Sequence, residues 1–283
     1  MKQILHYFNI IRPLNVLISG VTVFIAGYLL DYQIQNQLIL IISLIVMSFC
    51  SFANIINDLF DIETDKINNP QKNFINLKFN QYQTLIILII FSITPLILAH
   101  IYFPNKALYY LYIILLLIII YTPYLKGIPL IGNITISFII SSVFIITELV
   151  LYNSISKILF YPTLLTFLLT LIREIIKDVD DLKGDLNAGI NTFPTVYGIE
   201  NSKYLLLILT IQLIILSIYP YYIRLYDFTY LFFLILLVQI PLIWCIFYLW
   251  KYPDFQNHRV LTNTTKYITI GGVITILSTK LLG

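Results

Sequence analysis

The chain has 283 residues, 59% hydrophobic and only 11% charged, with a mean hydropathy of +0.88. Soluble domains hold about 45–50% apolar and about 25% charged residues, so this composition excludes a soluble protein and indicates an integral membrane one. The net charge of +3 names no partner, and nothing in the composition suggests nucleic acid.

Taken in chain order, Lys2 and Arg12 flank an apolar run beginning at Leu14. No small-residue cleavage site follows it, so the run to Leu30 reads as a retained first membrane helix and not as a targeting signal. Nine apolar segments of membrane-crossing length occur at 14–30, 37–57, 84–103, 107–123, 131–151, 158–176, 203–222, 228–250 and 266–282. They predict an all-α polytopic membrane protein, a bundle of about nine transmembrane helices in one domain over 1–283. Short connectors at 31–36, 104–106, 152–157 and 223–227 alternate with longer polar ones at 58–83, 124–130, 177–202 and 251–265. The N-terminus, the long connectors and the adjoining helix ends carry 13 of the 17 Lys and Arg residues. The positive-inside rule therefore puts the N-terminus and the long connectors in the cytoplasm.

Several residues have bland expectations. Cys50 and Cys245 lie in apolar runs as small core residues, and His6, His100 and His258 lack ligand-like spacing. Glu148, near a helix end on the far side, is expected to snorkel to the interface. Prolines 95, 123, 220 and 241 should kink or end helices, and Gly271-Gly272 should permit close helix packing.

One polar pattern appears twice, 120 positions apart: Asn54, Asp58, Asp61 and Asp65, then Glu174, Asp178, Asp181 and Asp185. The shared spacing of 0, 4, 7 and 11 places each set within about 60° on an α-helix. Carboxylates so aligned repel one another unless cations intervene. Hard oxygen ligands suit Mg²⁺, which takes one or two carboxylates and completes its shell with phosphate oxygens and water. Two such stripes predict a Mg²⁺ site that grips a diphosphate, with Lys72, Lys126, Arg173, Lys177 and Lys183 neutralising the remaining charge. Above such a site, an interior of Leu, Ile, Phe and Tyr suits an isoprenoid chain. Aromatic faces can stabilise the allylic cation left when diphosphate departs, provided water is excluded. Both stripes end helices that run in one direction, which makes a parallel internal duplication plausible.

The chain resembles the UbiA superfamily of membrane prenyltransferases from Arg12 to the last helix. The likeness rests on Asn57-Asp58-x-x-Asp61-x-x-x-Asp65, on Asp178-x-x-Asp181-x-x-x-Asp185 and on Arg12-Pro13-x-Asn15. Tyr121-Thr-Pro-Tyr124-Leu-Lys126, Gly132-Asn133 and Lys266-Tyr267 also fit. The resemblance implies a nine-helix bundle around a central cavity, dependence on Mg²⁺, a polyprenyl diphosphate donor and a lipophilic acceptor. It also implies that Asp58, Asp61, Asp65, Asp178, Asp181 and Asp185 hold metal, with Asn54 and Asn57 beside them on the substrate. Lys126, Arg173 and Lys177 are expected on phosphate oxygens, Tyr121 or Tyr124 near the scissile bond, and Arg12, Asn15 and Asn133 along the cavity.

Within the superfamily, Arg173-Glu174-Ile-Ile-Lys177-Asp178 with Gly184-Asp185 is most similar to the digeranylgeranylglyceryl phosphate synthase group. That likeness implies a geranylgeranyl donor and a glycerol phosphate ether as acceptor. One departure is Asn68-Asn69-Pro70-Gln71-Lys72, where such enzymes often carry an arginine; Lys72 keeps the charge and loses the bidentate fork. An aromatic acceptor or a porphyrin alcohol stays open, as does a different class, a cation- or proton-coupled secondary transporter.

Overall fold

The computed structural model describes residues 11–32, 37–62, 81–252 and 259–281. Among these residues the structure is helical, without strands. Nine helices follow: α1 Pro13–Leu29, α2 Gln37–Phe60, α3 Gln81–Tyr102 and α4 Asn105–Ile120, which a π-turn at Tyr121–Leu125 extends. Then come α5 Ile131–Tyr152, α6 Phe160–Ala188, α7 Phe193–Tyr222, α8 Phe228–Lys251 and α9 Arg259–Leu281. Each apolar segment read from the sequence falls in its own helix. Six of them, α2 to α5, α7 and α8, are long and apolar enough to cross a membrane.

The described residues sort into two compact units. One holds α1 to α4 and Ser142–Leu159; the other holds Lys126–Ser141 and everything from Phe160 onward, so the division falls within α5.

In the first unit α2 packs against α1 and α3. Close approach of α1 and α2 depends on Gly20, where a Cβ would fall 2.9 Å from Ser43 Oγ and 2.7 Å from Met47 Sδ. Tyr152 donates its hydroxyl to the Leu30 carbonyl at 3.0 Å, tying the end of α5 to the end of α1. Glu148 does not snorkel: it is 2% exposed and accepts the Ser156 N–H at 2.7 Å. The loop after α5 folds back and gives the carboxylate a backbone donor, which removes its need to reach water.

In the second unit α6 packs on α7 and α9, and α9 packs on α8. The core joins Ile172, Ile175, Ile176 and Val179 of α6 to Leu206 of α7 and Leu242 of α8. A proline explains the π segment Ile235–Gln239 within α8. Pro241 cannot donate to the carbonyl of residue i−4, and its ring clashes with that group. The carbonyl in question is that of Leu237, and α9 lies over it: a Cβ on Gly271 would sit 2.7 Å from the Leu237 oxygen. Only a residue without a side chain lets the two backbones meet there.

The polar connector expected at 177–202 is instead helical as far as Ala188 and again from Phe193. Buried Val179 and Leu182 follow Ile175 and Ile176 at helical spacing, so the apolar face continues after the overall hydropathy has dropped. Gly189, with φ of 68°, ends the helix, and the Ile190 N–H closes back on the Asp185 carbonyl at 2.9 Å. This is the left-handed glycine stop. As a result the whole second stripe sits on one regular helix.

Candidate functional site

The first stripe closes α2. Asn54 donates its side-chain N–H to the Ile11 carbonyl at 2.9 Å and lies 3.8 Å from Cys50 Sγ. One turn on, Asp58 forms an ion pair with the Arg12 guanidinium. Asn57 donates to Asp61 Oδ2 at 2.7 Å, and Asp61 is 8% exposed. Asp65 and Lys72 lie outside the described residues.

Arg12 pairs with Asp58 from a left-handed backbone, φ 57° and ψ 68°, directly before Pro13. A residue that precedes proline favours extended geometry, and a left-handed non-glycine residue costs on the order of 1–3 kcal/mol. The Asn54 bond to Ile11 and the Asp58 pair with Arg12 fasten this segment from both sides. Asn15, in the first turn of α1, is exposed. The π-turn carrying Tyr121 and Tyr124 packs against α2; Tyr121 is half-buried and Tyr124 is 72% exposed.

The second stripe runs along α6 beyond its apolar stretch. Asn133, in the first turn of α5, donates to Asp178 Oδ2 at 2.7 Å. Burial drives the Asp178 carboxyl up to about 7, with Glu174 and Asp185 pushing the same way and Asn133 and Lys177 opposing. Asp185 rises to about 6, first through burial and then through repulsion from Asp181, while Lys126 and Lys177 lower it. These carboxyls keep their protons to higher pH than an ordinary aspartate, and a divalent cation would compete with those protons.

Glu174 differs from the other three members of its stripe. It bonds to the Arg173 guanidinium, and its second oxygen faces Lys177 Nζ at 3.8 Å. Both stripes therefore commit their first member to organisation: Asn54 holds the backbone beside Arg12, and Glu174 holds Arg173 and Lys177. Two further residues give no signal in the spacing pattern. Asp180 accepts from Thr262 Oγ1 at 2.9 Å and pins the start of α9 to α6. About 100° outside the stripe on an ideal helix, that aspartate is legible only as a residue with some other task.

Among the described residues no three His, Cys, Asp or Glu side chains form a ready-made metal cage. Magnesium does not require one, since it binds through one or two carboxylates plus substrate phosphates. The crowded, partly protonated carboxylates of α6 fit that requirement.

A model of the UbiA prenyltransferase family matches residues 19–266. The chain is 30% identical over 279 residues to a digeranylgeranylglyceryl phosphate synthase from Methanosphaera stadtmanae, with 96% of this chain and 97% of that protein covered. A solved structure described as digeranylgeranylglyceryl phosphate synthase in membranes superposes with a TM-score of 0.74 at 25% identity, over 99% of both chains. A UbiA homologue from Archaeoglobus fulgidus, bound to GPP and Mg²⁺, has the same fold: TM-score 0.72 at 15% identity, over 97% of this chain and 99% of that one.

Proposed function

Because the chain belongs to the UbiA prenyltransferase family, we propose that it moves a geranylgeranyl group from its diphosphate onto the free hydroxyl of geranylgeranylglyceryl phosphate. The observation that carries this reading is the end-to-end similarity to synthases of that product, on a chain that keeps both carboxylate stripes. Family membership sets aside the transporter alternative.

In this reading both units serve one catalytic domain. Asp58, Asp61 and Asp65, with Asn57, hold the metal-bound diphosphate from α2; Asp178, Asp181 and Asp185 hold it from α6. Magnesium supplies charge neutralisation, so that the allylic C–O bond breaks with its electron pair on the departing diphosphate. Arg12 and Lys126 add positive charge to the leaving group. Tyr121 and Tyr124 offer aromatic faces to the allylic cation. The acceptor hydroxyl oxygen then forms the ether bond, and its proton leaves on the diphosphate. Asn15 and Asn133 line the path of the chain, and Lys72 assists at the phosphates. The N-terminus and the stripe-bearing ends of α2 and α6 face the cytoplasm, where soluble diphosphates arrive.

The test offers labelled geranylgeranyl diphosphate and Mg²⁺ to the purified protein with a panel of acceptors. Transfer to geranylgeranylglyceryl phosphate with release of diphosphate is the expected outcome. Transfer only to 4-hydroxybenzoate, a naphthoate or a porphyrin alcohol would overturn the choice of acceptor.

A further inference from the structure

The carboxylate face of α6 has a flank of a different kind. At about 100° per residue, Asp178, Asp181 and Asp185 share an arc of about 60°. Arg173 and Lys177 stand together on the adjoining arc, one turn apart. Glu174 falls within the carboxylate arc, yet it turns one oxygen to Arg173 and the other towards Lys177. It is 8% exposed, which makes it a fixed brace rather than a mobile surface charge.

The brace leaves capacity unspent. Glu174 engages a single Arg173 nitrogen, Nη1. Among the described residues the other guanidinium N–H groups find no partner, and the side chain is 20% exposed, that of Lys177 33%. A guanidinium held at one corner with its remaining donors open suits a tetrahedral oxyanion. No metal is needed to bind an anion there, whereas the neighbouring carboxylates can meet a phosphate only through a cation.

We infer that Arg173 and Lys177, braced by Glu174, form a seat for the acceptor's own phosphate, separate from the metal-bound diphosphate of the donor. This rests on the proposed reaction. Arg173 precedes Asp178 by about 7–8 Å along the helix axis, on the apolar side. The long Arg173 side chain and the glycerol unit together can cross that gap, so a phosphate anchored at Arg173 presents its glycerol hydroxyl towards the stripe. Lys126 influences Asp185 at the opposite end of the arc, more strongly than Lys177 does, and is left to the donor.

The experiment measures initial rates with the full chain in lipid nanodiscs, varying donor and acceptor separately, for wild type, Arg173→Gln, Arg173→Lys and Lys177→Gln. Glycerol 1-phosphate, which has a phosphate and no lipid tail, serves as the competing probe. The seat predicts an acceptor KM raised about tenfold or more in R173Q and K177Q, with the donor KM within about threefold. It also predicts an intermediate value for R173K, and inhibition by glycerol 1-phosphate that competes with acceptor and weakens in both Gln variants. Should R173Q fail to fold, K177Q alters a more exposed side chain and gives the same split. Donor and acceptor KM rising together would assign the cations to the diphosphate and sink the inference. Unchanged constants would reduce the cluster to a structural ion pair and overturn it equally. The acceptor profile of the wild type is read independently: if no phosphate-bearing acceptor is used, the proposed function itself has failed.

Discussion

At the scale of single residues, the carboxyls of α6 make the proposed cation site measurable. Asp178 and Asp185 titrate near 7 and 6 in the folded protein, well above an unfolded aspartate. An acid whose folded pKa is raised binds protons that the unfolded chain has already released, so stability falls as pH rises between the two values. Metal-free protein should therefore unfold at progressively lower temperature from about pH 4 to about pH 7 and level off above that. Magnesium competes with those protons, so its stabilising effect should be larger at about pH 7.5 than at about pH 5. Asp178→Asn should flatten both trends. Thermal unfolding followed across pH, with and without Mg²⁺, checks the sign. A magnesium effect of the same size at both ends would mean that these carboxyls are ionised throughout.

At the scale of elements, the contact between α8 and α9 turns on the oxygen released by Pro241. Gly271→Ala would drive a methyl group against the backbone of Leu237, which cannot swing aside like a side chain. A cost of about 1–3 kcal/mol is expected for such overpacking. Gly272→Ala meets only Leu169 Cδ2 at 3.6 Å, an ordinary contact, and should be nearly neutral. Unfolding temperatures of the pair in detergent decide it; equal losses would refute the role given to Leu237. The same elements show what is legible in the sequence. Long apolar runs place every helix, because a membrane-crossing segment must be continuous and apolar. Hydropathy ends α6 too early, because an amphipathic turn lowers it without breaking helical periodicity. The stripes are legible as spacing; the partners of Asp58 and Asp178 are not. Arg12 lies 46 residues from Asp58 and Asn133 lies 45 from Asp178, and no local pattern reports on contacts at that separation. Spacing also groups Glu174 with the proposed metal ligands, because it registers which face a side chain occupies and not what it is bonded to.

At the scale of the whole molecule, the repeated spacing extends to the backbone. Helix α1 lies between left-handed residues Arg12 and Asp31, and α5 lies between left-handed Leu130 and Asn153. In each case the next helix carries a stripe, and its second member is held from the start of the helix before it, Arg12 on Asp58 and Asn133 on Asp178. The two halves thus repeat one device with different chemistry, a cation in the first and a neutral amide in the second. If one diphosphate uses both, the stripes must be thermodynamically coupled. A ligand at about 100 times its dissociation constant stabilises the folded state by about 2.7 kcal/mol. With Mg²⁺ and a non-hydrolysable geranylgeranyl diphosphate analogue, the wild type should gain a stabilisation of that order. Asp61→Ala and Asp181→Ala should each abolish transfer and each lose nearly all of the gain, and the double variant should lose no more than either alone. Two independent sites would instead leave each single variant with a substantial part of the stabilisation, and only the double variant with none.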